Sequence, residues 1–412
     1  MVAAVSMKKS VRLAAGASGL LTLAALGATA LIGGTVGALL ALGLALAAGA
    51  LALLALSGGH VVGRQRRIDA GAPDVYLLRN RQRSEVAVSS GEVPPAGPAR
   101  RWLARAAFGH SLLVGDTVRI KSIDEIRATL DANACLEGLP FMKEMAAFCG
   151  RPARVFRVVD KVYDYGRSSA MRRLDNCVLL VGLRCDGSDH GRCEAACYLI
   201  WKSAWLEPLQ APAAMAIDTA PAKAAGAPSS SPPYQCQYTE LTAASTPSAA
   251  FTAHGTLGPL AAGNVTVSAF LSALATRVFN AFQRWRGGVA YPASAPSDGN
   301  AAVVGEPVRA GDWVRVRLSH EIARTLDKNS KHRGLWFDRD MLKFCGQRFQ
   351  VRARVQQIID VSKHALIPMK TPCIMLEGVH YTGEFQGFGE QHDFLYWREA
   401  WLQRDEAPGR SD

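Results

Sequence analysis

A chain of 412 residues allows two or three domains, and its 49% hydrophobic content is ordinary for a globular protein but unevenly spread. The net charge of +12 is uneven too: residues 1–110 carry +8, 111–210 carry +1, 211–308 are neutral and 309–412 carry +3. A nucleic-acid footprint would place the charge on the folded units, so this distribution argues against one. Nine cysteines, an odd number, exclude a complete intramolecular disulfide framework.

From Ala14 to Ser57 there is no charged residue, about twice the roughly 20 residues that one helical crossing of a bilayer needs. The pattern predicts a transmembrane helical hairpin over residues 13–58, turning at Gly33-Gly34-Thr35, with Gly33, Gly37, Gly43 and Gly49 letting the two helices approach. Lys8, Lys9 and Arg12 precede the run and Arg64, Arg66 and Arg67 follow it. Positive residues at both ends favour the cytoplasmic face, so the expected location is the inner membrane with the rest of the chain in the cytoplasm. The alternatives are a signal peptide or a single span that exports the remainder; a signal core of about 7–15 residues is shorter than this run. A cytoplasmic location keeps the cysteines reduced.

Residues 59–99 are polar, Arg-rich and punctuated by Pro94, Pro95 and Pro98, and read as a basic juxtamembrane linker. A helix over Arg100–Phe108 opens the next domain, 100–207, with Trp102, Leu103 and Ala106 beside Arg101 and Arg105. Within it, Gly115–Leu206 recurs without a gap as Gly311–Leu402, inside a domain spanning 309–404.

Both copies begin with a GDxV strand, in which Val118 and Ile120, or Val314 and Val316, alternate with polar residues. A helix follows, with Ser122 and Glu125 as a capping box and Gly138 as its stop. A second helical segment ends at Phe148-Cys149-Gly150 or Phe344-Cys345-Gly346. Two β-rich runs come next, Arg154–Tyr163 and Cys177–Cys185 in the first copy, and a helix-like Trp201–Leu206 closes the unit. By pattern the fold class is α+β: the hairpin, then two small SH3-like β-barrel repeats with helical insertions.

Between the copies, residues 208–265 read as a flexible linker, with PSSSPP at 228–233, and 288–308 as a second linker. Residues 266–287 read as an amphipathic helix. Val267, Phe270, Leu271, Leu274, Val278, Phe282 and Trp285 keep one apolar face, Thr266 caps the start and Gly287 follows the end. That face is expected to pack inward as a brace rather than lie on lipid.

The strongest chemical signal is Cys185, His190, Cys193 and Cys197, four donors within 13 residues, interrupted by Gly187 and Gly191. Such a set suits a four-coordinate zinc ion, although the spacing C-x4-H-x2-C-x3-C matches no familiar finger. In the second copy these positions hold Tyr381, Gln386, Gly389 and Asp393, so the donors are lost together, as ligands of one ion would be. Cys149 is an alternative fourth ligand. Cys149 and Cys177 persist as Cys345 and Cys373, which fits small buried hydrophobes. A disulfide in the loop, or a thiol nucleophile using His190 with Asp186 or Asp189, stays open. No phosphate loop, HExxH or GxSxG is present.

Asp116, Arg119, Glu125, Thr129, Asp131, Asn133 and Asp164 are shared by both copies and are expected to serve caps, turns and ion pairs. Trp201 and Trp205, matched by Trp397 and Trp401, are expected in the core or at a repeat contact.

GDxV, the TLD helix, GLxF, MxxFCG, the cysteine loop and WxxAWL together resemble an uncharacterised family of bacterial two-repeat proteins, over about Arg100–Leu402, including CQYTEL around Cys236. The resemblance implies no particular activity. It implies that relatives keep the loop cysteines in both repeats, so that Tyr381, Gly389 and Asp393 mark a degenerate site here. The resulting expectation is a membrane-anchored scaffold or binding module with a structural metal in the first repeat and an unnamed protein or small-molecule partner. A metal- or thiol-dependent enzyme, or a redox sensor, is the alternative.

Overall fold

The computed structural model describes residues 15–22, 34–165, 168, 170–209, 232–248, 252–293, 305–386 and 388–407, with backbone alone for 34–43, 253, 254 and 386. The chain divides into two compact units. One comprises Met1–Leu78, Ser268–Val304 and Arg315–Arg348; the other comprises Arg79–Val267, Gly305–Val314 and Phe349–Asp412.

The first unit is built on helix α1, Gly34–Asp69, whose Ala- and Leu-rich sequence favours an uninterrupted helix. Its stretch Leu44–Asp69 is the one described helix long and apolar enough to cross a membrane. Residues 15–22 are also helical, and the Ser18 hydroxyl donates to the Ala48 carbonyl at 2.8 Å, which sets this segment beside α1. The central part of the expected hairpin turn lies outside the described residues, whereas Gly34 and Thr35 belong to α1.

The helix also runs past the expected boundary at residue 58 and ends only where Gly71, at φ +67°, turns the chain left-handed. The stretch expected as a linker is therefore structured. After α1 it holds short helices at Val75–Asn80 and Glu85–Ser89.

Arg64, one of the basic residues that flank the apolar run, is fully buried. Its guanidinium donates through Nε to Asp74 at 2.8 Å, pairs again through Nη2, and donates through Nη1 to Thr276 at 2.6 Å. A buried guanidinium needs such saturation, because an unpaired one costs several kcal/mol, on the order of the protein's whole stability.

That requirement explains how helix α2, Val267–Trp285, is turned. Its buried residues include Ser272, Thr276, Asn280 and Gln283, while Leu271, Leu274 and Trp285 are exposed, Trp285 by 83%. The helix is where periodicity places it, but its inward face is mixed, with Ala269, Phe270, Ala273 and Phe279 buried beside those polar residues. Thr276 serves Arg64, Ser272 meets His60 at 2.8 Å, and Asn280 exchanges two hydrogen bonds with the Tyr291 backbone.

In the same unit Gly71 meets the FCG turn of the second copy. A Cβ on Gly346 would lie 2.3 Å from the Gly71 Cα, so only glycine permits this approach.

The second unit carries the strands of the first copy and most of the main sheet of the second copy, whose residues 315–348 fall in the first unit. In the first copy, strands β1 (Thr117–Ile120), β2 (Cys135–Leu136), β3 (Leu139–Pro140), β4 (Pro152–Asp164), β5 (Ala170–Arg184), β6 (Tyr198–Lys202) and β7 (Leu206–Pro208) precede β8 (Thr246–Pro247). The main sheet has the order β6-β5-β4-β1-β7, with β8 added to β5, and β2 and β3 form a separate hairpin. The second copy runs through β9 (Trp313–Val316), β10 (Lys331–His332), β11 (Leu335–Trp336), β12 (Arg348–Asp360), β13 (Ala365–His380), β14 (Phe394–Trp397) and β15 (Leu402–Arg404), in the order β14-β13-β12-β9-β15.

The fold is thus mixed helix and sheet, but no sheet closes into a barrel among the described residues, which corrects the barrel expectation. Gly138 turns the β2–β3 hairpin at φ +76° rather than stopping a helix. The expected closing helix is a strand followed by the 3-10 turn Ser203–Trp205.

The capping box is present, Ser122 accepting from Glu125 N and Glu125 from Ser122 N. The four repeat tryptophans are fully buried, and Trp205 donates to Thr129 at 3.0 Å. The helix expected at Arg100–Phe108 spans Pro98–Phe108. Of the segment expected as a flexible linker, Cys236, Gln237 and Leu241 are buried, and Ala253–Ala262 is a helix. Gln237 bridges the Ile200 N–H and carbonyl, at 2.7 and 2.8 Å.

Both long hairpins bulge at matching places, between Val159 and Lys161 of β4 and between Val355 and Gln357 of β12. A bulge leaves backbone N–H groups outside the ladder. Here each pair is taken by a carboxylate from the other copy. Glu390 Oε2 accepts from Asp160 N and Lys161 N at 2.6 and 3.0 Å, and Glu194 Oε2 accepts from Gln356 N and Gln357 N at 2.5 and 3.2 Å.

Candidate metal centre

Two pieces of the first copy converge on this site. One is the 3-10 turn Lys143–Phe148, which sinks Met145 and Phe148 into the core and brings Glu144 inward. The other is the loop after β5. Gly187, at φ +73°, lets this loop fold back on itself, and a Cβ there would lie 2.1 Å from the Cys193 carbonyl oxygen. His190 N and Arg192 N donate to the Gly187 carbonyl at 3.2 and 2.9 Å, and Cys185 N donates to the Cys197 carbonyl at 2.8 Å, closing the base.

The side chains that meet are Glu144, Cys185 and His190, whose donor atoms lie within 4.8 Å of one another. Cys185 Sγ is 3.1 Å from His190 Nε2, and His190 Nδ1 is 3.9 Å from Glu144 Oε1. The Glu144 and His190 side chains are only 4% and 3% exposed, and no hydrogen bond of ordinary geometry reaches His190 Nδ1 or either Glu144 oxygen.

Burial dominates the electrostatics. It pushes the Glu144 carboxyl up to about 7, opposed by its own backbone N–H and the Cys185 thiol. It raises the Cys185 thiol well above its ordinary value, with the Glu144 charge adding to the effect. It lowers His190, against Asp189 and Asp186. Each shift disfavours the charged form, the state expected of donors that lack a compensating cation. A thiolate, an imidazole and a carboxylate are a donor set that suits a borderline-soft divalent ion, and the set can hold a metal.

Of the expected ligands, two lie in this cluster. Cys185 and His190 belong to the cluster, while Cys193, Cys197 and Cys149 do not. The Cys193 thiol accepts from Ile359 N at 3.4 Å, because its stretch of loop is pulled toward β12. Cys197 is half-buried, and desolvation raises its thiol well above the ordinary value, with Asp393 reinforcing the effect. The Cys149 thiol meets the Met145 carbonyl at 3.9 Å. Cys177 and Cys373 are 1% exposed, as small buried hydrophobes should be, and all nine cysteines are free thiols.

Glu144 escaped the motif search because it lies 41 positions before Cys185. Its signal sits in the comparison of copies. Its counterpart Asp340 is also a buried carboxylate, but Lys343 donates to it at 2.6 Å, and the position matching Lys343 is Ala147.

No protein-family model matches this sequence, and no characterised protein or solved structure is detectably similar to it.

The polar residues shared by both copies do structural work. Asp116 pairs with Arg101 and accepts from Leu113 N, Arg119 pairs with Glu207, and Asp131 accepts from Asn133 N and Cys135 N. Elsewhere in the unit a cavity of about 510 Å³ is lined by polar groups. They include His110 and Asp160, paired at 2.7 Å, and Lys202 and Glu137, paired at 2.6 Å.

Proposed function

We propose that the protein is a membrane-anchored scaffold or binding module whose first repeat holds a structural metal ion on Glu144, Cys185 and His190. The observation that carries the metal reading is the convergence of the buried Glu144 carboxylate with a thiol and an imidazole, their donor atoms within 4.8 Å of one another. A buried carboxylate left uncompensated costs several kcal/mol, on the order of the stability of a domain, and a bound cation offsets it. Zinc fits the donor types best. The near absence of solvent at the site favours a structural ion over a catalytic one.

Anchoring rests on α1, with Arg66 and Arg67 exposed at its end toward anionic headgroups. Nine free thiols agree with a cytoplasmic, reducing side. The strand order, with a 3-10 turn between the last two strands, supports open SH3-like repeats, and the polar cavity offers a place for a small ligand.

Metal-dependent catalysis is the second reading, favoured by a three-donor set that leaves a coordination position open. The test is metal content of the full chain, purified in detergent without added metal. About one zinc per chain, lost in Glu144→Gln with the fold retained, is the expected result. A metal-free, folded wild-type chain removes the reading.

A further inference from the structure

The loop that carries Cys185 and His190 does not end at the metal site. Between Gly191 and Glu194 it crosses to the second copy and grips the bulge of β12. Glu194 Oε2 accepts from Gln356 N and Gln357 N at 2.5 and 3.2 Å, and Glu194 N donates back to the Gln357 carbonyl at 3.1 Å. Cys193 Sγ accepts from Ile359 N at 3.4 Å, and the Gln357 side chain donates to the Arg192 carbonyl at 3.2 Å.

The equivalent loop of the second copy makes the same grip in the other direction. Glu390 takes Asp160 N and Lys161 N, Glu390 N donates to the Lys161 carbonyl at 3.0 Å, and Gln391 exchanges two bonds with the Tyr163 backbone. The contact is isologous within one chain: matching surfaces of the two copies embrace each other. Arg184 and His380, which occupy matching positions, meet at 3.2 Å, and the Arg184 guanidinium stacks on both members of the matching pair Tyr198 and Phe394.

The two grips differ in what holds the gripping loop. Glu390 is 2% exposed and braced by Asn264, which donates to its other oxygen at 2.7 Å. Glu194 is exposed, and among the described residues no side chain donates to it as Asn264, from the segment that connects the copies, donates to Glu390. What lies at the root of its loop is the Glu144, Cys185 and His190 cluster.

We infer that the metal ion is the fastener of the first grip: by joining Cys185 and His190 to Glu144 on the 3-10 turn, it fixes the loop from which Glu194 engages the second copy. The partner that the metal-site loop recognises is thus the β12 bulge of the same chain, and the ion governs how firmly the two repeats are paired. This rests on the metal reading above and adds regulation to it.

The experiment is hydrogen–deuterium exchange of the full chain in detergent, with zinc bound and after chelation, followed by mass spectrometry of peptides covering residues 350–360 and 156–164. The bulge amides of Gln356 and Gln357 are expected to exchange at least tenfold faster once zinc is removed, while those of Asp160 and Lys161, held by Glu390, keep their protection. Glu194→Ala should give the same acceleration with zinc still bound. If zinc binds and is removed without any change at residues 356 and 357, the inference falls and the structural metal stands. A rise at all four amides together means that the ion holds the whole domain rather than the loop, and also overturns it. A chain that never binds zinc overturns both readings.

Discussion

The two copies solve one problem in two ways. Each brings a carboxylate into the protein on the turn before its FCG sequence, Glu144 in the first and Asp340 in the second. The second copy supplies its own cation: Lys343, 0% exposed, sits on the next helical turn and donates to Asp340, with its ammonium 5.2 Å from the centre of the Tyr76 ring. The first copy has Ala147 there, and has instead placed a thiol and an imidazole around the carboxylate. A side-chain cation is permanent, whereas a bound ion can be added or withdrawn, so the exchange of one lysine for a ligand set turns a structural pair into a conditional one. The loss of Cys185, His190, Cys193 and Cys197 as a set in the second copy follows from this. Once Lys343 balances Asp340, the loop positions are free to take other tasks: Tyr381 is buried there, and Asp393 is half-buried and bonded to Tyr238.

The largest effect should come from deleting the second copy's solution. Lys343→Ala leaves Asp340 as an uncompensated buried charge, and should lower unfolding stability by about 3–5 kcal/mol in urea titrations. A loss below about 1 kcal/mol would show that the pair is not what balances Asp340.

The next concerns Asp393, which stands where the first copy has the uncharged Cys197. Burial raises the Asp393 carboxyl to about 6, against the Tyr238 hydroxyl that donates to it at 2.9 Å. A carboxyl whose folded value is raised contributes stability below its unfolded value near 4, and loses it as pH climbs to about 6. Asp393→Asn stays neutral and keeps an acceptor for Tyr238. Its stability relative to wild type should therefore rise from pH 4 to pH 6 and level off with an advantage of up to about 3 kcal/mol. A flat difference across that window would contradict the burial account.

The smallest, and most direct for the comparison, is to give the first copy the second copy's cation. Ala147→Lys should seat an ammonium against Glu144 and weaken zinc at least tenfold, about 1.4 kcal/mol, in competition with a chromophoric chelator. Far-ultraviolet circular dichroism should be unchanged. Undiminished zinc affinity would mean that the Glu144 charge is not what the ion answers.

Much of the local structure was legible in the chain. The GD strands, the Ser122–Glu125 cap, the buried tryptophans and the persistent Cys177 and Cys373 all follow from short-range rules, and each sits where those rules place it. The candidate site was half legible. Cys185 and His190 are near in sequence and joined by glycines, so their convergence could be read; Glu144 could not, since nothing local links the turn at Lys143–Phe148 to the loop after β5. The helix Val267–Trp285 misled for the same reason. Hydrophobic periodicity assumes that the apolar face turns inward, yet a buried guanidinium from another segment needed Thr276, and the helix turned inward a face that mixes polar residues with Phe270 and Phe279.

The sequence by itself determined the first strand and capped helix of each copy, that the chain carries one pattern twice, and that its N-terminal region is apolar enough for a membrane. Those properties depend on residues within a few positions of one another or on a direct comparison of two stretches. Only the tertiary structure decided which donors share a site, which face of a helix is inside, and that each copy grips the bulge of the other. Those outcomes come from satisfying buried charges and backbone N–H groups, and the partner that satisfies each one is chosen by proximity in space, which no spacing along the chain encodes.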